Sequence, residues 1–194
     1  GWGDDLSKIK APLGVYSVLG NHDYGEYTSW KSKEEKNRNF KNLIKAQKEF
    51  GWNLLLNEND TISVDGNKIK VIGVENWASS RFQQYGDLDK AYNGLDNEDF
   101  KILMTHNPSH WNAKVTDAYK DIDLTLSGHT HGLQYGIDIG DFRVSPVRLA
   151  YKQWADLYEL NKQYIYVNRG FGFMGYPGRV GILPEITILE LKKS

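Results

Sequence analysis

The chain has 194 residues with 24 basic and 25 acidic side chains, and this balance excludes the strong positive field that recruits nucleic acid or an anionic membrane. Hydrophobic residues make up 40% of the sequence and aromatic residues 13%, which is enough apolar material for a buried core and excludes an intrinsically disordered chain. Cysteine is absent, so neither a disulfide scaffold nor a thiolate zinc site is available.

Residues 14–19 form an apolar run after a polar first segment, and we expect the first strand there. The pattern then changes to helical spacing. Ser29 or Ser32 can cap a helix that runs to about residue 50, because acidic residues in the following turn favour a helix N-terminus. The apolar positions on one face of this helix are Phe40, Leu43, Ile44 and Phe50. Such a stripe predicts that the helix packs against a core.

Three short apolar runs follow the helix, at residues 52–56, 61–64 and 68–74, and we expect each to be a strand. Asp-Gly-Asn lies between the last two runs and predicts a hairpin. Residues 75–99 carry no sustained pattern apart from a short helix expected at residues 88–92. Surface connections of this length commonly line binding sites.

The second half of the chain alternates predicted strands with one helix. Strands are expected to end at Met104 and Leu126, with a helix opened by Pro108 between them. Residues 136–144 again alternate between apolar and polar side chains. The last predicted strands lie at residues 163–167 and 185–191. Strands, hairpins and helices in this mixture indicate an α/β fold, arranged as a two-sheet sandwich with outer helices in one domain.

Histidines cluster in turns that directly follow three of the predicted strands. Gly-Asn-His-Asp occupies residues 20–23, Thr-His-Asn-Pro residues 105–108, and Ser-Gly-His-Thr-His-Gly residues 127–132. Four of the five histidines therefore lie just beyond strand ends. Sites in open α/β sheets gather at the carboxyl ends of strands, and imidazole is both a common metal ligand and the usual proton-transfer group near neutral pH. The pattern predicts one shared site for metal binding or acid–base chemistry.

The ordered combination of these three turns resembles the second half of the signature of calcineurin-like metallophosphoesterases. Residues 166–172 and 181–186 also resemble a bacterial branch of that family that is often membrane-associated. The resemblance implies a two-sheet α/β/β/α sandwich of the metallophosphoesterase type. It also implies a metal-dependent phosphohydrolase, which cleaves a phosphoester or pyrophosphate bond through attack of a metal-activated water. The cofactors implied are two divalent metal ions, drawn from Mn, Fe, Zn and Mg.

The family's first two motifs, an Asp-x-His and a Gly-Asp-x-x-Asp or His, do not precede Gly20. We therefore expect this chain to be the C-terminal part of a larger domain and to lack an N-terminal βαβ portion. A sheet without those strands exposes an edge and apolar surface, so we expect either a homodimer that buries that surface or poor solubility. No apolar run reaches the ~20 residues of a membrane span, so we expect this chain to be soluble. The resemblance implies an anchor or export signal upstream in the intact protein.

The resemblance assigns metal ligands within the histidine turns. Asn21 would offer its amide oxygen to one metal, together with His106 and His129. His131 would face the second metal. The bridging Asp and the remaining ligands of the second metal belong to the absent motifs, so two metals are expected in the intact protein and one or none in this chain.

Further residues have expected roles outside the ligand set. His22 follows a metal ligand, so its side chain is expected to point toward the leaving group as a general acid or transition-state hydrogen-bond donor. Asp23 either orients His22 or caps the turn. Arg169 and Arg179 either contact substrate phosphate or form structural ion pairs. We interpret His110 as a surface residue at the start of a helix.

Two alternatives stand beside the phosphohydrolase. The chain is either a catalytically incomplete fragment that holds at most one metal, or a binding module for a partner protein, whose function survives replacement of the histidines. The expected substrate is a phosphorylated small molecule or lipid, and no nucleic-acid partner is expected. Specificity is expected to depend on residues 75–99 and 133–160, where Tyr151, Trp154 and Tyr158 either wall a pocket or pack in a core.

Overall fold

The computed structural model describes residues 2–78, 83–96, 98–140 and 142–192, and it confirms the predicted α/β class. The strands are β1 (Tyr16–Ser17), β2 (Asn53–Leu54), β3 (Glu58–Val64), β4 (Asn67–Gly73), β5 (Phe100–Met104), β6 (Leu124–Ser127), β7 (Ile137–Ile139), β8 (Phe142–Val144), β9 (Asp156–Leu160) and β10 (Gln163–Val167). The α-helices are α1 (Gly3–Leu6), α2 (Lys33–Glu49), α3 (Leu88–Tyr92) and α4 (Thr116–Ala118). Further helical turns are a π-helical turn at Trp111–Val115 and two 3-10 turns at His131–Gln134 and Pro146–Leu149.

A six-stranded sheet forms the centre of the described part of the chain, in the order β3-β4-β5-β6-β10-β9. Strands β4, β5, β6 and β10 run parallel to one another, whereas the edge strands β3 and β9 are antiparallel to their neighbours. Parallel strands are usually covered on both faces, which explains why these segments lack strict alternation of apolar and polar residues. Strands β1 and β2 form a separate parallel pair, and β7 and β8 form an antiparallel hairpin.

The hairpin predicted from Asp-Gly-Asn is confirmed, because β3 and β4 pair antiparallel with Asp65 and Gly66 between them. Both turn residues have positive φ, 49° and 78°, as a two-residue turn between twisted strands requires. The first predicted strand is shorter than expected, since of residues 14–19 only those of β1 pair with β2. In the predicted surface segment the short helix is confirmed as α3, while residues 79–82 and 97 lie outside the described residues.

Helix α2 begins after Ser32, one of the two serines predicted to cap it. Ser32 Oγ accepts a hydrogen bond from the backbone N–H of Glu35 at 3.2 Å, and the Glu35 carboxylate accepts one from the N–H of Lys31 at 2.9 Å. This reciprocal arrangement satisfies donors at the helix N-terminus that have no partner within the helix. The helix packs its apolar face on a small core; the residues in contact are Leu19, Tyr24, Phe40, Leu43, Ile44 and Leu54.

The main core joins the central sheet to α3 and the π-helical turn. Its largest buried side chain is Trp111, and the segment that carries it also buries His110 completely. The His110 ring stacks on Trp77 with centroids 4.4 Å apart, and its Nδ1 lies 3.1 Å from Thr105 Oγ1. The interpretation of His110 as a surface residue is therefore wrong. The chain after β5 folds back over the sheet, so the turn that opens at Pro108 faces the interior.

Residues 185–191 do not form the predicted strand. The N–H of Glu185 donates to the carbonyl of Gly170 at 3.0 Å, but no ladder of backbone hydrogen bonds follows within the described residues. Ile186 and Ile188 are 86% and 93% exposed. The alternation is typical of a strand, yet a strand needs a paired neighbour, and the described residues supply none.

Across the residues that the structure describes, no helix combines the length and the apolar character needed to cross a bilayer.

Candidate metal centre

The three histidine turns meet at one place, partly because β5 and β6 are parallel neighbours. His106 follows β5 and His129 follows β6, and the N–H of Gly128 donates to the carbonyl oxygen of His106 at 3.0 Å. Asn21 comes from the turn after β1. Gly20 lies directly against the His106 ring, since a Cβ at position 20 would be 2.7 Å from ring atoms. The fold therefore brings Asn21, His106 and His129 together.

Three donor atoms of these residues form a nearly equilateral triangle. Asn21 Oδ1 lies 2.9 Å from His106 Nε2 and 3.1 Å from His129 Nδ1, and the two ring nitrogens are 3.0 Å apart. Donors bonded to one cation at about 2.1 Å and at right angles lie about 3.0 Å from each other. The donor triangle, as we call these three atoms, therefore has the size of one face of an octahedral metal site.

The chemistry of the donor triangle suits a divalent cation, although it contains no carboxylate. Two imidazole nitrogens and an amide oxygen are mixed N/O ligands, which several divalent metals accept. In the part of the chain that the structure describes, no three His, Asp or Glu side chains gather closely enough to hold a metal ion. The third donor is the neutral amide oxygen of Asn21, so the triangle itself carries no negative charge.

Both histidines of the donor triangle are neutral near pH 7. Burial lowers the pKa of His106 to about 3, and the charges of His129, His131 and His22 act in the same direction. Burial likewise lowers the pKa of His129 to about 4, with further lowering by His131 and His22. Metal binding requires deprotonated ligands, and a neutral imidazole keeps a lone pair available.

Two tyrosines orient the donor triangle. The Tyr151 hydroxyl lies 2.7 Å from Nε2 of His129, which leaves Nδ1 of the same ring for the triangle. Asn21 Nδ2 donates to the Tyr27 hydroxyl at 2.8 Å, so the amide oxygen faces the imidazoles. Partners of this kind fix the orientation of metal ligands. The sequence gives no signal for Tyr27 and indicates Tyr151 only as a packing residue or a pocket wall. The reason is that neither the Tyr27–Asn21 contact nor the Tyr151–His129 contact reflects helical or strand periodicity in the sequence.

His22 and Asp23 lie beside the donor triangle. His22 is exposed, and its ring packs against Tyr27 with centroids 4.4 Å apart. Asp23 Oδ2 accepts a hydrogen bond from the N–H of Gly20 at 2.7 Å, which is the turn-capping alternative for this residue. Burial raises the pKa of Asp23, while the Gly20 hydrogen bond and the charge of His22 lower it. The carboxylate therefore stabilises the turn that carries Asn21.

His131 lies in a turn with an unusual backbone. His129, His131 and Leu133 have φ values of 68°, 52° and 53°, in the left-handed region that residues other than glycine rarely adopt. Nδ1 of His131 is buried and has no hydrogen-bond partner among the described residues. Burial, followed by the charges of Arg179 and His22, lowers the pKa of His131. The structure thus places beside the triangle an imidazole with one unpaired nitrogen.

Arg169 is surrounded by carboxylates. Its Nε lies 2.6 Å from Glu185 Oε2, and its terminal nitrogens pair with Asp138 and, at 3.8 Å, with Asp156. The side chain is 12% exposed. Arg179 donates to the backbone carbonyl of Arg169 at 2.9 Å. This geometry favours the structural alternative for both arginines.

A hollow of about 450 Å³ opens over the donor triangle. His22 and His131 line it together with the three residues of the donor triangle. The remaining lining is mainly apolar and includes Leu133, Pro146, Val147, Ala150, Tyr151 and Met174. Small-molecule sites in proteins typically have volumes of roughly 300–1,000 Å³. The triangle is therefore accessible to a ligand of that size.

Comparison with known proteins gives matches along nearly the whole chain. Residues 2–133 match the family model described as Calcineurin-like phosphoesterase. The chain is 32% identical over 191 residues to the uncharacterized metallophosphoesterase YkuE of Bacillus subtilis (strain 168). This alignment covers 97% of the chain and 60% of YkuE. It is 30% identical over 200 residues to a Bos taurus protein named transmembrane protein with metallophosphoesterase domain. That alignment covers 97% of the chain and 41% of the Bos taurus protein. The chain thus spans about half the length of these curated relatives.

Among solved structures, the NAD nucleotidase (NadN) of Haemophilus influenzae matches with a TM-score of 0.47 and 19% sequence identity. The match covers 80% of this chain and 33% of the NadN chain. That similarity is too low to carry a structural inference. The family model, by contrast, covers more than half of the chain and includes the turns of residues 20–23, 105–108 and 127–132. The chain therefore belongs to the calcineurin-like phosphoesterase family.

Proposed function

We propose that the chain is a metal-dependent phosphohydrolase that acts on a phosphorylated small molecule or lipid. Family membership supports phosphoester hydrolysis in general. The observation that carries the proposal is the donor triangle of Asn21 Oδ1, His106 Nε2 and His129 Nδ1, whose sides measure 2.9, 3.1 and 3.0 Å. Because all three donors are neutral, the positive charge of a bound cation is not cancelled by its ligands, and this favours an anionic substrate.

The residues of the site have separate roles in this proposal. Asn21, His106 and His129 would hold one divalent cation, drawn from Mn, Fe, Zn and Mg, and His131, whose Nδ1 has no hydrogen-bond partner among the described residues, would face a second. When bound, such cations polarise a phosphoryl oxygen and lower the pKa of water. The hydroxyl of Tyr151 fixes the orientation of the His129 ring, and the hydroxyl of Tyr27 fixes that of the Asn21 amide.

His22 is the proposed proton or hydrogen-bond donor to the leaving-group oxygen. It lines the hollow and is exposed, so a substrate can reach its ring. The Tyr27 ring packed against it restricts its orientation. Asp23 lies next to it in sequence, and its carboxylate accepts a hydrogen bond from the N–H of Gly20, which stabilises the turn that carries His22. Positioned acids of this kind contribute about 10²–10⁴-fold to a rate.

Titration of the metal-stripped chain with Mn²⁺, followed by calorimetry, tests the metal site. We expect saturable binding, and we expect His129→Ala to weaken it at least about tenfold because one of the three donor atoms is lost. The matched variant His22→Gln lies outside the triangle, so it should keep the Mn²⁺ affinity while hydrolysis of a generic phosphodiester falls about 10²-fold or more. No Mn²⁺ binding by the unmodified chain, or unchanged binding by His129→Ala, contradicts the proposal.

The absence of a carboxylate from the donor triangle favours a second candidate, a single-metal chain without turnover. Two cations a few ångströms apart repel each other strongly unless an acidic ligand lies between them. In the described residues the triangle supplies only neutral donors. The same titration separates the two candidates: Mn²⁺ binding that depends on His129, combined with no measurable hydrolysis, supports the second.

A further inference from the structure

The hollow over the donor triangle has an apolar side whose composition is informative. Beyond the triangle and the two neighbouring histidines, its lining consists mainly of Leu133, Pro146, Val147, Ala150 and Met174. Among the described residues that line it there is no Lys, Arg, Asp or Glu. A pocket that receives a second phosphate or another charged group would need such side chains, because a charge buried without a partner is costly.

This apolar side is held by a built framework. Val147 packs in a small core with Trp154, Ala155 and Ile182. Ser145 Oγ donates to the carbonyl of Gly132 at 2.7 Å, and this bond joins the 3-10 turn Pro146–Leu149 to the turn that carries the histidines. The apolar wall and the histidine turn are therefore joined by a direct hydrogen bond, so the folded chain keeps them side by side.

The inference rests on the proposed function. We propose that the apolar side of the hollow binds the organic group of a phosphate ester, and that this group is an uncharged aliphatic or aromatic one. The phosphate lies at the donor triangle, and the organic group leaves water for the surface formed by Leu133, Pro146, Val147, Ala150 and Met174. Burial of apolar surface then supplies affinity in proportion to the size of the group. Inorganic pyrophosphate and polyanionic esters gain nothing from this surface.

A series of phosphonates that share one head group tests this binding surface. Methyl-, butyl- and phenylphosphonate, with inorganic phosphate as reference, are titrated into the Mn²⁺-loaded chain and their affinities measured by calorimetry. Each fully buried methylene contributes about 0.8 kcal/mol, which is about fourfold in affinity. Butylphosphonate should therefore bind at least about tenfold more tightly than methylphosphonate, and phenylphosphonate should rank with butylphosphonate.

Two neighbouring substitutions provide a matched pair of variants. Ala150→Glu places a carboxylate in the hollow, whereas Leu149→Glu places one next to it on a side chain that is 90% exposed and does not line the hollow. The measured quantity is the ratio of butyl to methyl affinity, because repulsion of the shared head group cancels in that ratio. We expect Ala150→Glu to reduce the ratio about tenfold and Leu149→Glu to leave it unchanged.

The outcomes distinguish this inference from the function on which it rests. Equal affinity for all phosphonates overturns the inference but leaves phosphate binding at the triangle in place. An equal reduction of the ratio by both variants also overturns it, because the effect would then not come from the hollow. If neither phosphate nor any phosphonate binds, the proposed function and the inference both fail.

Discussion

Each residue of the donor triangle is positioned by a specific neighbour. Gly20 has no side chain, which allows the His106 ring to lie against the backbone at that position. The hydroxyl of Tyr151 holds the far nitrogen of His129, and that of Tyr27 holds the amide nitrogen of Asn21. Individual atoms of these neighbours can therefore be removed or added without replacing any ligand, and each change has its own expected effect on metal affinity.

Gly20→Ala is expected to weaken Mn²⁺ binding about tenfold or more. The added methyl group would lie 2.7 Å from the His106 ring, so the ring must move out of the triangle. Calorimetric titration with Mn²⁺ measures the effect. Gly172→Ala is the control, because no atom lies within 4 Å of the Cβ it would add. Unchanged Mn²⁺ affinity in Gly20→Ala would show that His106 is not a ligand.

Tyr151→Phe removes a single oxygen and keeps the ring that packs against His129. Loss of the 2.7 Å contact frees the His129 ring to rotate, and partners of metal ligands typically contribute about 10- to 100-fold in affinity. We expect a decrease in Mn²⁺ affinity within that range and an unfolding midpoint close to that of the unmodified chain. Tyr164→Phe, on a half-exposed side chain of β10, serves as the comparison and should bind Mn²⁺ normally. If the two variants behave alike, Tyr151 does not position His129.

At the scale of elements, the support beneath the histidine turn is a contact between two distant loops. Tyr135 and Val180 form an isolated parallel bridge, in which the N–H of Gly136 donates to Val180 at 2.9 Å and the N–H of Val180 donates to Gln134 at 2.8 Å. Gln134 is fully buried, and its side chain donates to the carbonyl of Tyr176 at 3.0 Å. The C-terminal segment thus closes over the turn that carries the histidines.

Gly181→Ala is expected to destabilise the protein more than Gly175→Ala. Both glycines have positive φ, 71° and 79°, so alanine costs about 1–2 kcal/mol at either position. A Cβ at position 181 would also overlap the carbonyl oxygen of Gly136, whereas at position 175 it meets no atom within 4 Å. The extra cost at position 181 is about 1–3 kcal/mol. Equal unfolding free energies from urea denaturation would contradict the observed contact between the loops.

The elements that sequence pattern predicts well are those with a local signal. The turn of Gly66 follows from its neighbours alone, and Ser32 is one of two candidates that the sequence offers for the cap of α2. The burial of His110 cannot be predicted from its neighbours in sequence, because it depends on how the chain after β5 folds back over the sheet. The same reason applies to the site: the histidine turns are visible in sequence, whereas the role of Tyr151 comes from a contact between separate segments.

At the scale of the whole molecule, an acidic and basic network ties the C-terminal segment to the sheet. Glu185 accepts hydrogen bonds from Arg169, from Thr187 at 2.7 Å and from Tyr166. Although burial raises it, these hydrogen bonds together hold the pKa of Glu185 at about 2, below its ordinary value of 4.5. The hydrogen bonds that Arg169 and Arg143 donate also lower the pKa of Asp138, against the effect of burial.

This network predicts a loss of stability in acid. A carboxylate with a lowered pKa in the folded state stabilises the fold above its unfolded pKa of about 4.5, and that contribution disappears as the pH falls toward about 2. The amount for Glu185 is about 3 kcal/mol. Glu185→Gln should therefore be less stable than the unmodified chain at pH 7, and the difference should shrink between pH 4.5 and pH 2, as measured by urea denaturation.

The control for this prediction is Glu190→Gln, whose side chain is 75% exposed and pairs with Lys192 at 3.1 Å. Exposed ion pairs contribute little, so this variant should follow the unmodified chain at every pH. A stability difference for Glu185→Gln that stays constant from pH 7 to pH 2 would show that ionisation of this carboxylate does not contribute to stability.

The left-handed backbone between residues 129 and 134 has a consequence for the response of the protein to heat. His129, His131, Leu133 and Gln134 each hold a conformation that costs about 1 kcal/mol or more, so opening this turn releases energy that opening a strand does not. Local opening should then precede cooperative melting of the sheet. Amides in this turn are expected to exchange with deuterium faster than those of β6, and the ligand geometry to be lost on warming while the sheet is still folded.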